Sequence, residues 1–99
     1  MHRLDVEFRP AAFAELAAIF DYVLEISRSF EVARGFTLRI RERCERIGDA
    51  PYGGRPRDDL APGLRTVPFE RSAVIAYVVE NGRVDHQYFL RWSGLRGAL

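Results

Sequence analysis

Residues 51–69 read PYGGRPRDDLAPGLRTVPF. Proline, glycine and arginine crowd around the adjacent Asp58 and Asp59, and the stretch closes on Leu64 to Phe69, which reads as a strand. Pro68 confines that strand to an edge, an end or a bulge, because proline gives a ladder no N–H. The segment divides the chain into a half with helical period before it and a half with strand character after it. The question it raises is whether it is only a connection or carries function.

Downstream, Glu70 and Arg71 form a turn, and SAVIAYVVE, ending at Glu80, is a β-branched strand that suits a central position. Asn81-Gly82 fits a two-residue type I′ hairpin turn. RVDHQYFLRW then returns as the last strand. With that turn, Glu80 faces Arg83, Val79 faces Val84, Tyr77 faces His86 and Ile75 faces Tyr88. Tyr77, His86 and Tyr88 then share one face, and Gln87, Phe89 and Arg91 the other.

Upstream, Leu4, Val6 and Phe8 alternate with Arg3, Asp5 and Glu7, the period of a half-buried strand over His2–Phe8. Pro10 stands where a first helical residue needs no N–H. From it, Phe13, Leu16, Ala17, Phe20, Val23 and Leu24 recur at helical spacing and predict a buried face, widened by Ile19, Tyr22 and Ile26. Ser29 is placed to cap a second helix, whose narrower stripe is Ala33, Phe36, Ile40, Cys44 and Ile47. Gly35 marks a close approach to the first helix. Gly48 and Pro51 supply the stop. The short link requires an antiparallel pair. The prediction is one α+β domain spanning residues 1–99, of order β-α-α-β-β-β, with an antiparallel sheet and a helical hairpin packed on one face.

Composition narrows the chemistry. All fifteen basic residues are arginine, so no lysine can serve as a base or form a Schiff base. A net charge of +1 does not predict sequence-specific nucleic-acid binding. The one cysteine, Cys44, lies on an apolar helical stripe and reads as a small core residue. No spacing suggests a metal or a cofactor, and Asp58 and Asp59 read as turn and cap residues pairing with Arg55 or Arg57. Arg41–Glu45 and Glu42–Arg46 have i,i+4 spacing for surface ion pairs. No apolar run has the length of a membrane helix, and MHRLDVEFRP lacks the apolar core of a secretory signal, so a cytoplasmic location is expected.

His86 is the one plausible acid or base. With Tyr88, Arg65 and Arg91 it could cleave RNA, the arginines holding phosphate charge. A buried histidine satisfied by Tyr77 or Tyr88 is the competing reading. Without a convincing active site, the residues point to a protein that acts by binding.

The order P-x-x-G-R-x-R-D-D-L-x-P-G-L-R-x-x-P-F, from Pro51 through Gly54, Arg55, Arg57, Asp58, Asp59, Leu60, Pro62, Gly63, Leu64, Arg65 and Pro68 to Phe69, resembles the ParE toxins of the ParE/RelE group. The helix pattern FAELAAIFDYV is similar to that family as well. The resemblance implies the toxin half of a bacterial toxin–antitoxin pair, which inhibits DNA gyrase by binding it and is held inactive by an antitoxin wrapped around it. RelE-type relatives instead cut mRNA on the ribosome. That alternative would use His86, Tyr88, Arg65 and Arg91. A third possibility is an inactive member kept for antitoxin binding. The family's C-terminal segment is linked to toxicity. Here it reads YFLRWSGLRGAL, so Arg91, Trp92 and Arg96 are the candidate target-binding residues, with Arg65 beside them. Trp92 is either a lid over the sheet or an interface anchor. The antitoxin is expected to lay an amphipathic helix or an added strand on the hairpin and sheet.

Overall fold

The computed structural model describes residues 3–70 and 73–91, with the backbone alone for 86–91. Its elements are β1 (Asp5–Phe8), α1 (Pro10–Ser27), α2 (Phe30–Ile47), β2 (Arg55–Pro56), β3 (Arg65–Phe69), β4 (Ala73–Glu80) and β5 (Arg83–Arg91). The strands form one sheet in the order β1-β5-β4-β3-β2. This is the expected α+β order with two additions. A two-residue strand, β2, forms inside the 51–69 connection. The sheet is also mixed, because β1 runs parallel to β5, with Val6 opposite Val84. The intervening hairpin supplies the long connection that a parallel pair needs.

Local chemistry sets the helix boundaries. Pro10 is the first residue of α1. The helix ends at Arg28, which adopts a left-handed φ of 57° and donates its N–H to the Leu24 carbonyl at 2.8 Å. Ser29 caps α2, its hydroxyl accepting from Val32 N at 3.2 Å. Glu31 in the first turn and Arg46 in the last complement the helix dipole. Asn81 and Gly82 both have positive φ, 51° and 72°, as the predicted hairpin turn demands.

Gly48 does not close α2 through a left-handed cap, since its φ is −59°. It is glycine because β1 enters against it: the Leu4 N–H donates to the Gly48 carbonyl at 2.9 Å, and a Cβ there would lie 2.5 Å from the Leu4 carbonyl oxygen. Gly35, by contrast, marks no close approach to α1; a Cβ there would meet only the Arg39 guanidinium, at 3.6 Å.

The core is built from Ile19 of α1, Ile40, Cys44 and Ile47 of α2, and Val67, Phe69, Ile75, Tyr77 and Val84 of the sheet. The stripe of α2 faces the core as predicted, with Ala33, Ile40, Cys44 and Ile47 buried and Phe36 partly buried against them. That of α1 is turned. Ala12 and Ile19 are its fully buried positions, with Leu16 and Val23 packed beside them, while Phe13 is 52 % exposed and Ile26 is 64 % exposed. Apolar residues cover α1 on nearly every side, so the period defines a helix without choosing the side that meets the sheet.

Pro68 lies within β3 without breaking it. Only Arg65 and Thr66 pair with β2, so among the described residues the side of β3 beyond them has no strand on it. The β4–β5 register is as predicted from Glu80–Arg83 to Tyr77–His86 and then shifts by one residue. Tyr88 pairs with Ala76 and Phe89 with Ile75, in place of the expected Ile75–Tyr88 pair. Gln87 is the extra residue, a β-bulge.

Candidate functional site

The 51–69 connection is tied to the sheet by its own residues. The buried Tyr77 hydroxyl accepts from Gly54 N at 3.0 Å and donates to the Pro51 carbonyl at 2.8 Å. Burial raises the Tyr77 pKa, opposed by the Gly54 hydrogen bond. Arg65 reaches back from β3, its Nη1 donating to the carbonyls of Tyr52 at 3.0 Å and Gly54 at 2.8 Å. Its guanidinium carbon also sits 5.4 Å from the Tyr52 ring centre. Asp58 Oδ1 accepts from Gly63 N at 2.9 Å, which holds Gly63 at φ 75°. Arg57 grips Asp59 with two hydrogen bonds, 2.9 and 2.8 Å, and holds the Asp59 carboxyl below its ordinary range. The turn chemistry expected of Asp58 and Asp59 is therefore present, and the connection is an ordered loop.

The sequence-predicted site residues do not assemble into one described cluster. Arg65 belongs to the loop network. His86, Tyr88 and Arg91 lie on β5, where the backbone pairs His86 with Tyr77 as predicted and Tyr88 with Ala76 in place of Ile75. Trp92 and Arg96 fall outside the described residues. Among the described residues, no three His, Cys, Asp or Glu side chains gather as a metal site. No described helix is long and apolar enough to cross a membrane.

The sequence reading named the helical hairpin as a partner surface without the residues of its outer face. An open groove of about 240 Å³ runs between α1 and α2, with Phe13, Leu16 and Phe20 on one side and Leu38 on the other. Phe20 meets Phe30 edge-on, with ring centres 5.5 Å apart, which carries the apolar surface toward the tip of the hairpin. Arg34 and Arg41 line the α2 side. The predicted Arg41–Glu45 and Glu42–Arg46 pairs do not form. Glu45 instead lies 3.8 Å from Arg3, which also pairs with Asp49 at 3.2 Å. The signal in the sequence was the apolar character of α1 on more sides than one sheet can cover.

The architecture is a helical hairpin packed on a mixed five-stranded sheet. A solved structure described as the chromosomal ParDE TA system from P. aeruginosa matches it with a TM-score of 0.78 and 23 % identity, over 92 % of this chain and 98 % of that one. No curated protein matches the chain in sequence. The family "ParE toxin of type II toxin-antitoxin system, parDE" matches residues 6–87. The chain belongs to that ParE toxin family.

Proposed function

We propose that this chain is a toxin that inhibits DNA gyrase by binding it, without chemistry of its own, and that a cognate antitoxin neutralises it. The observation that carries this reading is the family match over residues 6–87, which spans every element from β1 into β5. The geometry agrees with it. RNA cleavage would call on Arg65 for phosphate charge, yet Arg65 Nη1 is engaged by two loop carbonyls. Target contact is assigned to Arg91, Trp92 and Arg96 of the C-terminal segment. Arg65 supports the loop.

Gyrase supercoiling of relaxed plasmid, with purified protein added, tests this. Inhibition relieved by the co-expressed antitoxin supports the toxin. Intact supercoiling together with cleavage of ribosome-bound mRNA would replace it by the RelE-like enzyme. Neither activity from folded protein would make it an inactive member.

A further inference from the structure

We propose that β1, with Arg3 and Arg9 at its ends, is a detachable strap. Arginine–carboxylate clasps hold it on the sheet, and it opens as a unit ahead of the rest of the domain, more readily as salt rises. The proposal stands whatever the toxin's target.

Little else holds the strap. β1 is four residues long and pairs with β5 alone. The pair is parallel, which is slightly weaker per residue than an antiparallel one. Leu4, Val6 and Phe8 are each only partly buried, whereas Val84 and Ile75 on the inner strands are wholly enclosed. Segments with few buried apolar contacts open first.

Charge supplies the remaining hold. Most ion pairs among the described residues join residues 3–9 to other elements. At one end Arg3 pairs with Asp49 at 3.2 Å and reaches Glu45 at 3.8 Å, where α2 closes. At the other end Arg9 pairs with Glu80 at 3.0 Å and reaches Asp85 at 3.7 Å. Between them Glu7 pairs with Arg83 at 3.4 Å. The strap's own charges, Arg3, Glu7 and Arg9, are 51 %, 59 % and 47 % exposed, so salt screens all three clasps. Release also strands no buried charge. Asp85 is the one enclosed carboxylate among these partners, and Arg83 of β5 stays with it at 3.4 Å when Arg9 leaves.

Gly48 shows how closely the strap is seated. The three nearest atoms to a Cβ there all belong to it: the Leu4 carbonyl oxygen at 2.5 Å, the Arg3 guanidinium at 2.8 Å and a Val6 methyl at 3.0 Å. The Gly48 backbone, at φ −59° and ψ −24°, suits alanine. Gly48→Ala therefore loads the strap and spares α2. Opening bares the β5 edge from Arg83 to His86, a row of unpaired N–H and C=O groups.

Amide exchange of the full chain, read residue by residue by NMR, tests this. The amides that bond β1 to β5 should exchange together, about 100-fold faster than the β3–β4 amides once corrected for intrinsic rates. Raising NaCl from about 0.05 M to about 1 M should widen that gap about tenfold, the scale of several screened surface pairs. Asp49→Asn removes one clasp, so it should speed the β1 amides and shrink their response to salt. Gly48→Ala should speed them about tenfold and leave the β3–β4 amides unchanged. Should Gly48→Ala not fold, Asp49→Asn carries the same contrast. Exchange of β1 at the β3–β4 rate, unequal protection across the β1–β5 ladder, no widening with salt, or indifference to Asp49→Asn each overturns the proposal. So does a folded Gly48→Ala that speeds both sets alike.

Discussion

Tyr77, in the centre of the sheet, is hydrogen-bonded to Gly54 in the connection 23 residues earlier, its hydroxyl accepting the Gly54 N–H at 3.0 Å. The same hydroxyl donates to Pro51. Tyr77→Phe leaves that N–H and that carbonyl without this partner, and should cost about 1–3 kcal/mol in urea denaturation. A Cβ on Gly54 would overlap the Tyr77 hydroxyl, so Gly54→Ala should be destabilising as well. The clash is partly relieved when the hydroxyl is gone, so Gly54→Ala should cost less in a Tyr77→Phe background. Strict additivity would show that the hydroxyl does not hold the loop.

Arg65 joins two loop carbonyls and stacks on Tyr52. Arg65→Ala should lower stability by about 1–2 kcal/mol. Arg65→Lys should recover only part, because an ammonium can donate to both carbonyls as Nη1 does but lacks the planar guanidinium that stacks on the Tyr52 ring. Denaturation beside a toxicity assay checks this. Full stability with lost toxicity would move Arg65 from loop support to target contact.

Arg39 on α2 grips Glu70 at the end of β3 with two hydrogen bonds, 2.8 and 3.1 Å. The guanidinium holds the Glu70 carboxyl below its ordinary range. A carboxylate whose pKa is lower folded than unfolded contributes stability that is complete above the unfolded value. It is lost as pH falls through the folded one. Stability should therefore decline from about pH 4.3 downward, and Glu70→Gln should flatten that acid limb. Both side chains are about half exposed, at 52 % and 43 %, so the contribution is at most about 1 kcal/mol. An identical acid limb in Glu70→Gln would show that the pair does not contribute.

Cys44 is wholly buried, and burial pushes its thiol up to about 12. A thiol-reactive chromogen at about pH 8 should label native protein only at the rate of opening, with full reaction in denaturant. Rapid labelling of folded protein would contradict the burial.

Much of the fold was written locally. Pro10 and Ser29 start the helices, Asn81-Gly82 turns the last hairpin, and Asp58 and Asp59 tie the loop, because each acts through backbone groups a few residues away. The α2 stripe was equally legible, since arginine and glutamate fill most of its other sides, with Val32 and Leu38 left exposed among them. For the candidate site, the sequence offered residues without their geometry. Arg65 was visible as a candidate target-binding arginine at the start of a strand, but its bonds to Tyr52 and Gly54 depend on how β3 lies beside the loop.

The tertiary structure decided whatever depended on partners distant in the chain. α1 is apolar on several sides, and only docking to the sheet buried Ile19 and left Phe13 outside. β1 could have paired in either direction until the hairpin carried the chain over and set Val6 beside Val84. Gln87 became a bulge only in register with β4. Glu45 had Arg41 within helical reach, but the entry of β1 brought Arg3 to it, leaving the groove basic. The sequence determined which segments form helix, strand and turn through short-range hydrogen bonding and period; packing between distant segments determined which faces are buried and which charges pair.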